Sequence, residues 1–300
     1  MAKTFLSLWV LLLSTGSPRA GAVHWLDLPK WNDGWAEVAL YEGKVLKYGA
    51  LRKSTLEIVT VREHFDPRKL VKTRPAPGKE VLPVMKTNLV RRVRTGVYEY
   101  VQMASVFQRR DTGKLVKLAT TSSEWCGTSF ALFEDRGEGG RLTISNYMDD
   151  QGTSAHPDPA SGGAVFEDEL IPYLRQHLDD LESGSAFVMV RSLLSNNPRY
   201  RKAEARIASI EDAPLETGGS KATRQIVLDT GDEKQTFLFS RDGVRPLLRW
   251  ENDRGEHYRL AGRSFMDYWN RNRPGDEKLL EEIRTSESEE PIPEGKGRLD

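Results

Sequence analysis

Apolar residues in this chain fall into short runs separated by glycine, proline and charged steps, a spacing that leaves little room for long helices. Runs of this kind are how a protein built from many antiparallel strands reads. The pattern is clearest toward the carboxyl end. Residues 224–229, 235–239, 247–251 and 257–261 are apolar-rich, and Thr230-Gly231-Asp232, Asp242-Gly243 and Asp253-Arg254-Gly255 punctuate them. Asp-Gly and Gly-Asp steps supply the positive φ that tight hairpins need, so a consecutive meander is expected. Residues 186–194 and 203–210 add two further strands to the same sheet.

The amino-terminal part repeats the theme. Strands are expected at 35–40, 44–48, 56–65, 84–93, 97–107, 115–123, 130–133 and 141–148. Glu42-Gly43 marks a turn between the first two, residues 74–78 an exposed loop, and Asp111-Thr112-Gly113 a hairpin. Between the two groups, residues 149–163 carry almost no apolar side chains, which makes them a long surface loop or linker. One helix stands out. Leu170, Leu174, Leu178 and Leu181 stack on one face of it, Glu167, Asp168 and Glu169 sit at its amino end where the helix dipole favours carboxylates, and Gly184 stops it. A metal site needs converging ligands, whereas neighbours at a helix end point apart. The expected fold is therefore mostly β: a curved antiparallel sheet or open β-barrel with one packed amphipathic helix covering its apolar face. The alternative is two smaller β domains joined at 149–163.

Residues 1–22 read as a secretory signal peptide: Lys3, an apolar stretch over 5–13, Pro18, and the small-residue site Ala20-Gly21-Ala22. The stretch is short of the roughly 20 residues that span a bilayer, so no stable membrane span is expected after cleavage and the product is exported, periplasmic or extracellular. A single β-rich domain is expected over 23–270. Beyond it, residues 271–300 are mostly disordered apart from one short helix around Leu279, Leu280 and Ile283. The 44 basic and 44 acidic residues balance, which gives no global field to attract nucleic acid. Runs such as Arg91-Arg92-Val93-Arg94 read as the wet face of a strand. Cys126 is the only cysteine, so no intrachain disulfide forms, and burial beside Trp125 and the run at 130–133 is the expectation for it.

No elbow of the Gly-x-Ser-x-Gly type, His-Glu-x-x-His pair, phosphate loop or Cys-x-x-Cys occurs, and no cofactor or metal is implied. The nearest approach to a catalytic group is Ser122-Ser123-Glu124-Trp125-Cys126-Gly127-Thr128, whose thiol needs a histidine within hydrogen-bond reach. His64 and His257 are the strand-borne candidates; His156 lies in the polar loop and His177 in the helix. Aromatic residues cluster at Trp25, Trp31 and Trp35 and at Tyr98, Tyr100 and Phe107, while Trp250 and Tyr258 face each other across an expected hairpin. They either line an apolar pocket between sheet and helix or fill a core.

The order of Trp35-Ala36-Glu37 through Tyr41, Lys47-Tyr48-Gly49, the run at 56–65, Lys86-Thr87-Asn88, Thr95-Gly96-Val97-Tyr98, Met103, Ser105-Val106-Phe107 and Ser123-Glu124-Trp125-Cys126-Gly127 resembles an uncharacterised family of exported bacterial envelope proteins. Some of its members carry the label septum formation inhibitor, and many a lipoprotein signal that this chain lacks. The resemblance covers residues 31–250 and implies no established activity. By topology the chain also resembles the curved half-barrels of periplasmic lipoprotein carriers. Three functional expectations stand side by side: an envelope protein binding an apolar or lipid-like ligand in the sheet's hollow, a structural or protein-interaction role, and an enzyme using Cys126, Glu124 and a strand histidine.

Overall fold

The computed structural model describes residues 25–137, 140–148, 152–214, 222–241, 243–284 and 287–291; the expected signal segment lies outside them. The first half supplies β1 Ala36–Lys47, β2 Ala50–Asp66, β3 Val71–Lys72, β4 Leu82–Arg94, β5 Glu99–Arg109, β6 Leu115–Glu124, β7 Gly127–Glu134, β8 Arg141–Ser145 and β9 Thr153–Pro157. The second supplies β10 Val165–Phe166, helix α1 Leu170–Gln176, β11 Ala186–Val190, β12 Lys202–Pro214, β13 Ala222–Asp229, β14 Lys234–Ser240, β15 Leu247–Asn252, β16 His257–Met266, helix α2 Lys278–Arg284 and β17 Glu287–Pro291. Alternation sets the faces: in β6, Val116, Leu118, Thr120 and Ser122 are buried and the residues between them are not.

Pairing makes one large open sheet. In spatial order the strands run β10, β11, β12, β13, β14, β15, β16, β1, β2, β4, β5, β6, β7, β8, β9, antiparallel throughout except β10 with β11. The carboxy-terminal meander is as the Gly-Asp punctuation indicates, with Gly231 and Gly255 both at a φ of +83°. The two edge strands, β9 and β10, are consecutive in the chain. Residues 158–164 alone join them, and that length reaches less than ~30 Å, so the sheet has to curl until its edges come near each other. Phe133 of β7 and Phe166 of β10 meet across the gap, ring centroids 4.8 Å apart.

Four expectations need correction. Glu42-Gly43 is not a turn but lies inside β1, where Gly43 lets the His257 carbonyl of β16 come so close that a Cβ would sit 1.8 Å from its oxygen. The real turn is Tyr48-Gly49, both at positive φ (53° and 71°) as a tight hairpin demands. The polar stretch 149–163 is not wholly loop, because residues 153–157 form edge strand β9, which needs backbone partners rather than apolar side chains. The helix is shorter than its leucine repeat: α1 ends at Gln176, and Leu178 reaches the core from the turns that follow. Finally, the tail holds more than its expected short helix, which is α2. Helix α2 packs Ile283 with Val38, Leu40 and Met266, its backbone seated on Gly262, and residues 287–291 run parallel to β16.

Strand directions give the barrel two distinct ends. The upper end carries the turns at 48–49, 95–98, 125–126, 230–233 and 253–256 together with segment 191–201; the lower end carries those at 110–114 and 241–246. Helix α1 plugs the lower end. Its Arg175 gives both terminal nitrogens to Glu37 of β1 (2.8 and 2.9 Å) and its Nε to the Val244 carbonyl (2.6 Å), with the guanidinium 4.8 Å from the ring of Trp25. Trp25 donates to the same carbonyl, and Trp25, Trp31, Met85, Val244 and Phe265 form a second, smaller core there. Arg175→Met should leave the buried Glu37 carboxylate with only its longer contact to Arg263 (3.5 Å) and cost ~3 kcal/mol in urea unfolding; an unchanged midpoint would show that α1 is not held by this pair.

Candidate functional site

Above the plug the interior is not filled. A cavity of about 300 Å³ remains, at the lower end of the range for small-molecule sites. Its floor is the start of α1, with Leu170 and Ile171; Leu56, Leu89 and Ala104 of β2, β4 and β5 make one wall, and Phe237, Trp250 and Tyr258 of β14 to β16 the other. Trp250 and Tyr258 are register partners with ring centroids 5.8 Å apart, as the sequence indicates. The third side is segment 191–201. It crosses the upper end from β11, accepting at the Leu193 carbonyl from Thr120 (3.2 Å), at the Leu194 carbonyl from Arg91 (3.1 Å) and at the Asn196 carbonyl from Ser129 (2.7 Å).

The acidic triplet holds that segment down. Ser192 donates its hydroxyl to Asp168 (2.6 Å) and its N–H to Glu167 (2.9 Å), while Leu193 N–H donates to the other Asp168 oxygen (2.7 Å). Glu169 turns back to accept from Phe166 N–H (2.9 Å). The helix-dipole account of Glu167, Asp168 and Glu169 is therefore incomplete: Glu167 and Asp168 accept from backbone that has left the sheet ladder, and Glu169 from the end of β10. Burial pushes all three up from the ordinary carboxylate range, Glu169 to about 8, with the neighbouring Asp168 charge adding to the rise.

Charged groups concentrate toward the mouth. Arg191 is drawn between Glu167 (3.3 Å) and Glu233 (3.2 Å). Asn252 bridges Glu233 and Glu256, at 2.6 Å each, and Glu256 also accepts from Leu46 N–H (2.7 Å). Arg201 and Arg254 are exposed at the opening, and neither makes a side-chain hydrogen bond or ion pair among the described residues. The same end displays Tyr48, Val97, Trp125 and Tyr147 to solvent, Trp125 at 77% exposure. Tyr48 hydrogen-bonds the hydroxyls of Tyr98 (2.8 Å) and Tyr100 (2.5 Å).

Cys126 is exposed, contrary to the expectation of burial. It sits with Trp125 in the two-residue turn between β6 and β7, where neither side chain can reach the core, and Glu124 secures the turn by accepting from Cys126 N–H (2.7 Å). The Glu124 carboxylate raises the thiol's pKa, the opposite of what a nucleophile needs. The histidines stay apart from it. His64 is in the lower part of β2, His257 starts β16 five strand spacings from β6, His156 packs at a tilt on Tyr200, and His177 packs at a tilt on Tyr173. The aromatic clusters separate as well: Trp25 and Trp31 fill the lower core, Phe107 packs on Phe65, and Tyr98 with Tyr100 belongs to the upper rim. What sequence reasoning missed is the cavity's polar mouth, because Arg201, Glu233, Arg254 and Glu256 lie in turns whose composition already explains them.

No family model and no curated protein matches this chain. Among solved structures it is similar to the crystal structure of a beta-barrel-like protein of domain of unknown function DUF1849 from Brucella abortus. Identity is 9% and the TM-score 0.43, over 78% of this chain and 98% of that one.

Two outcomes follow from the charges. A carboxyl raised to about 8 keeps its proton in the folded state through a window where the unfolded chain has lost it. Its contribution is fully present below the ordinary carboxylate pKa and is lost as pH rises toward 8, on the order of a few kcal/mol. Glu169→Gln, which keeps the acceptor for Phe166 N–H, should flatten the fall in melting temperature between pH 5 and 8; equal slopes in both proteins would contradict the assignment. For the thiol, a water-soluble maleimide should label Cys126 in the folded protein, and faster in Glu124→Gln. Labelling only after unfolding would restore the buried cysteine.

Proposed function

We propose that this is an exported, non-catalytic binding protein of the cell envelope that takes an apolar or lipid-like ligand into the cavity above α1. The observation that carries the reading is the cavity's construction: a floor and two walls whose leucines and aromatics stand beside Arg91 and Gln235, a third side fixed by hydrogen bonds to Asp168, and one open end. Apolar surface left uncovered inside a curled sheet favours an apolar occupant, since transfer from water contributes roughly 25 cal/mol per Å² covered. Catalysis finds less support. Of the hydroxyl-bearing lining residues, Ser192 donates to a carboxylate and Tyr258 hydrogen-bonds Ser54, and no histidine lines the cavity among the described residues. A protein-interaction role is the second reading, favoured by the exposed Tyr48, Val97, Trp125 and Tyr147 at the upper rim.

Titration with an environment-sensitive naphthalene sulfonate separates the two. Saturable binding at one site is expected, and Ala104→Trp, which fills the cavity from the β5 wall, should abolish it while the fold is retained by circular dichroism. Absence of saturable binding to the folded wild type, or binding that Ala104→Trp leaves unchanged, would put the interaction role first.

A further inference from the structure

The geometry points to a single-chain anionic amphiphile as the occupant, its chain against the floor at Leu170 and its acid head group at Arg201 and Arg254. This rests on the cavity being a ligand site and specifies what it takes. The four acids lining the cavity are each satisfied from within. Asp168 is held by Ser192 and Leu193, Glu167 by Ser192, Gln235 and Arg191, Glu233 by Arg191 and Asn252, and Glu256 by Asn252 and Leu46. Two of the four lining arginines are committed in the same way. Arg91 gives Nε and a terminal nitrogen to Gln102 (2.9 and 2.7 Å), and Arg191 is shared among Glu167, Glu233 and Thr230.

That leaves Arg201 and Arg254. Both line the cavity where it meets solvent: Arg201 at the end of the crossing segment, Arg254 in the turn between β15 and β16. Neither guanidinium has a side-chain hydrogen bond or ion pair among the described residues, the Asp232 carboxylate being a longer-range neighbour of Arg254. The lining acids and arginines balance in number, so the unmet valence rather than the net charge decides, and the unmet valence is cationic. A guanidinium offers a planar fork that matches carboxylate or phosphate oxygens. Below the mouth, no free donor of this kind among the described residues faces Leu56, Leu89, Leu170 and Phe237, so that part takes hydrocarbon. The small volume suits one chain rather than two.

Isothermal titration with four decyl compounds below their micelle concentrations tests this: decanoate, decyl phosphate, neutral decyl maltoside and decyltrimethylammonium. At least one anion should bind about ten-fold or more tightly than the neutral compound, the tighter of the two telling carboxylate from phosphate, and the cation should bind most weakly. In R201Q/R254Q the anion preference should vanish while affinity for decyl maltoside is kept, which also shows that the variant is folded. Equal binding of anion and neutral compound, or an anion preference that survives in the double variant, would overturn the head-group assignment and leave the cavity as a ligand site. If none of the four binds, the proposal falls together with the cavity reading beneath it.

Discussion

The buried pair of Glu37 and Arg175 is the interaction on which the interior depends. Placing two ions in a low-dielectric core costs several kcal/mol each, and such a pair holds only when geometry is favourable and every remaining donor is used. Here it is: two nitrogens of Arg175 meet both oxygens of Glu37, the third meets the Val244 carbonyl, and Arg263 adds a longer contact to Glu37 (3.5 Å). Buried pairs of this kind contribute placement more than net stability, because only one position of the helix satisfies all three bonds. The height of α1 in the barrel is thereby fixed, and so is the level of the cavity floor at Leu170.

A curled sheet of this many strands encloses an interior too wide for its own side chains, and three segments share the work of filling it. Helix α1 closes the lower end, segment 191–201 occupies the side toward β5 to β8, and the inward leucines and aromatics of the remaining strands fill what they can reach. The inward face is correspondingly mixed. Gln102, Thr120, Ser122 and Ser129 point in where the crossing segment brings carbonyls that need donors, whereas Leu56, Leu89 and Phe237 point in where nothing crosses. The cavity is the part of the interior that neither helix nor segment covers.

Much of this architecture is legible in the sequence, and the misses have physical causes. The meander from β13 to β16 could be read because hairpin turns demand positive φ and Gly231 and Gly255 supply it. Glu42-Gly43 misled for the same chemistry used differently: a glycine that admits a neighbouring carbonyl looks, in one dimension, like a glycine that turns the chain. Strand β9 was hidden because an edge strand with His156 and Ser154 inward has no apolar alternation. Cys126 was misplaced because its apolar neighbours on β7 begin only after the turn that exposes it. The site itself was half legible. Trp250 opposite Tyr258 follows from the hairpin register, but the crossing of residues 191–201 rests on contacts with β5 to β8 that lie far away in sequence, and no local pattern encodes them.

A ligand held in the space above α1 would be visible directly. Crystals of the full chain grown with a decyl chain brominated at its far end should give an anomalous peak inside the barrel, between Leu89, Leu170 and Phe237. A peak found only on the outer surface or beside Trp125 at the upper rim would contradict the account.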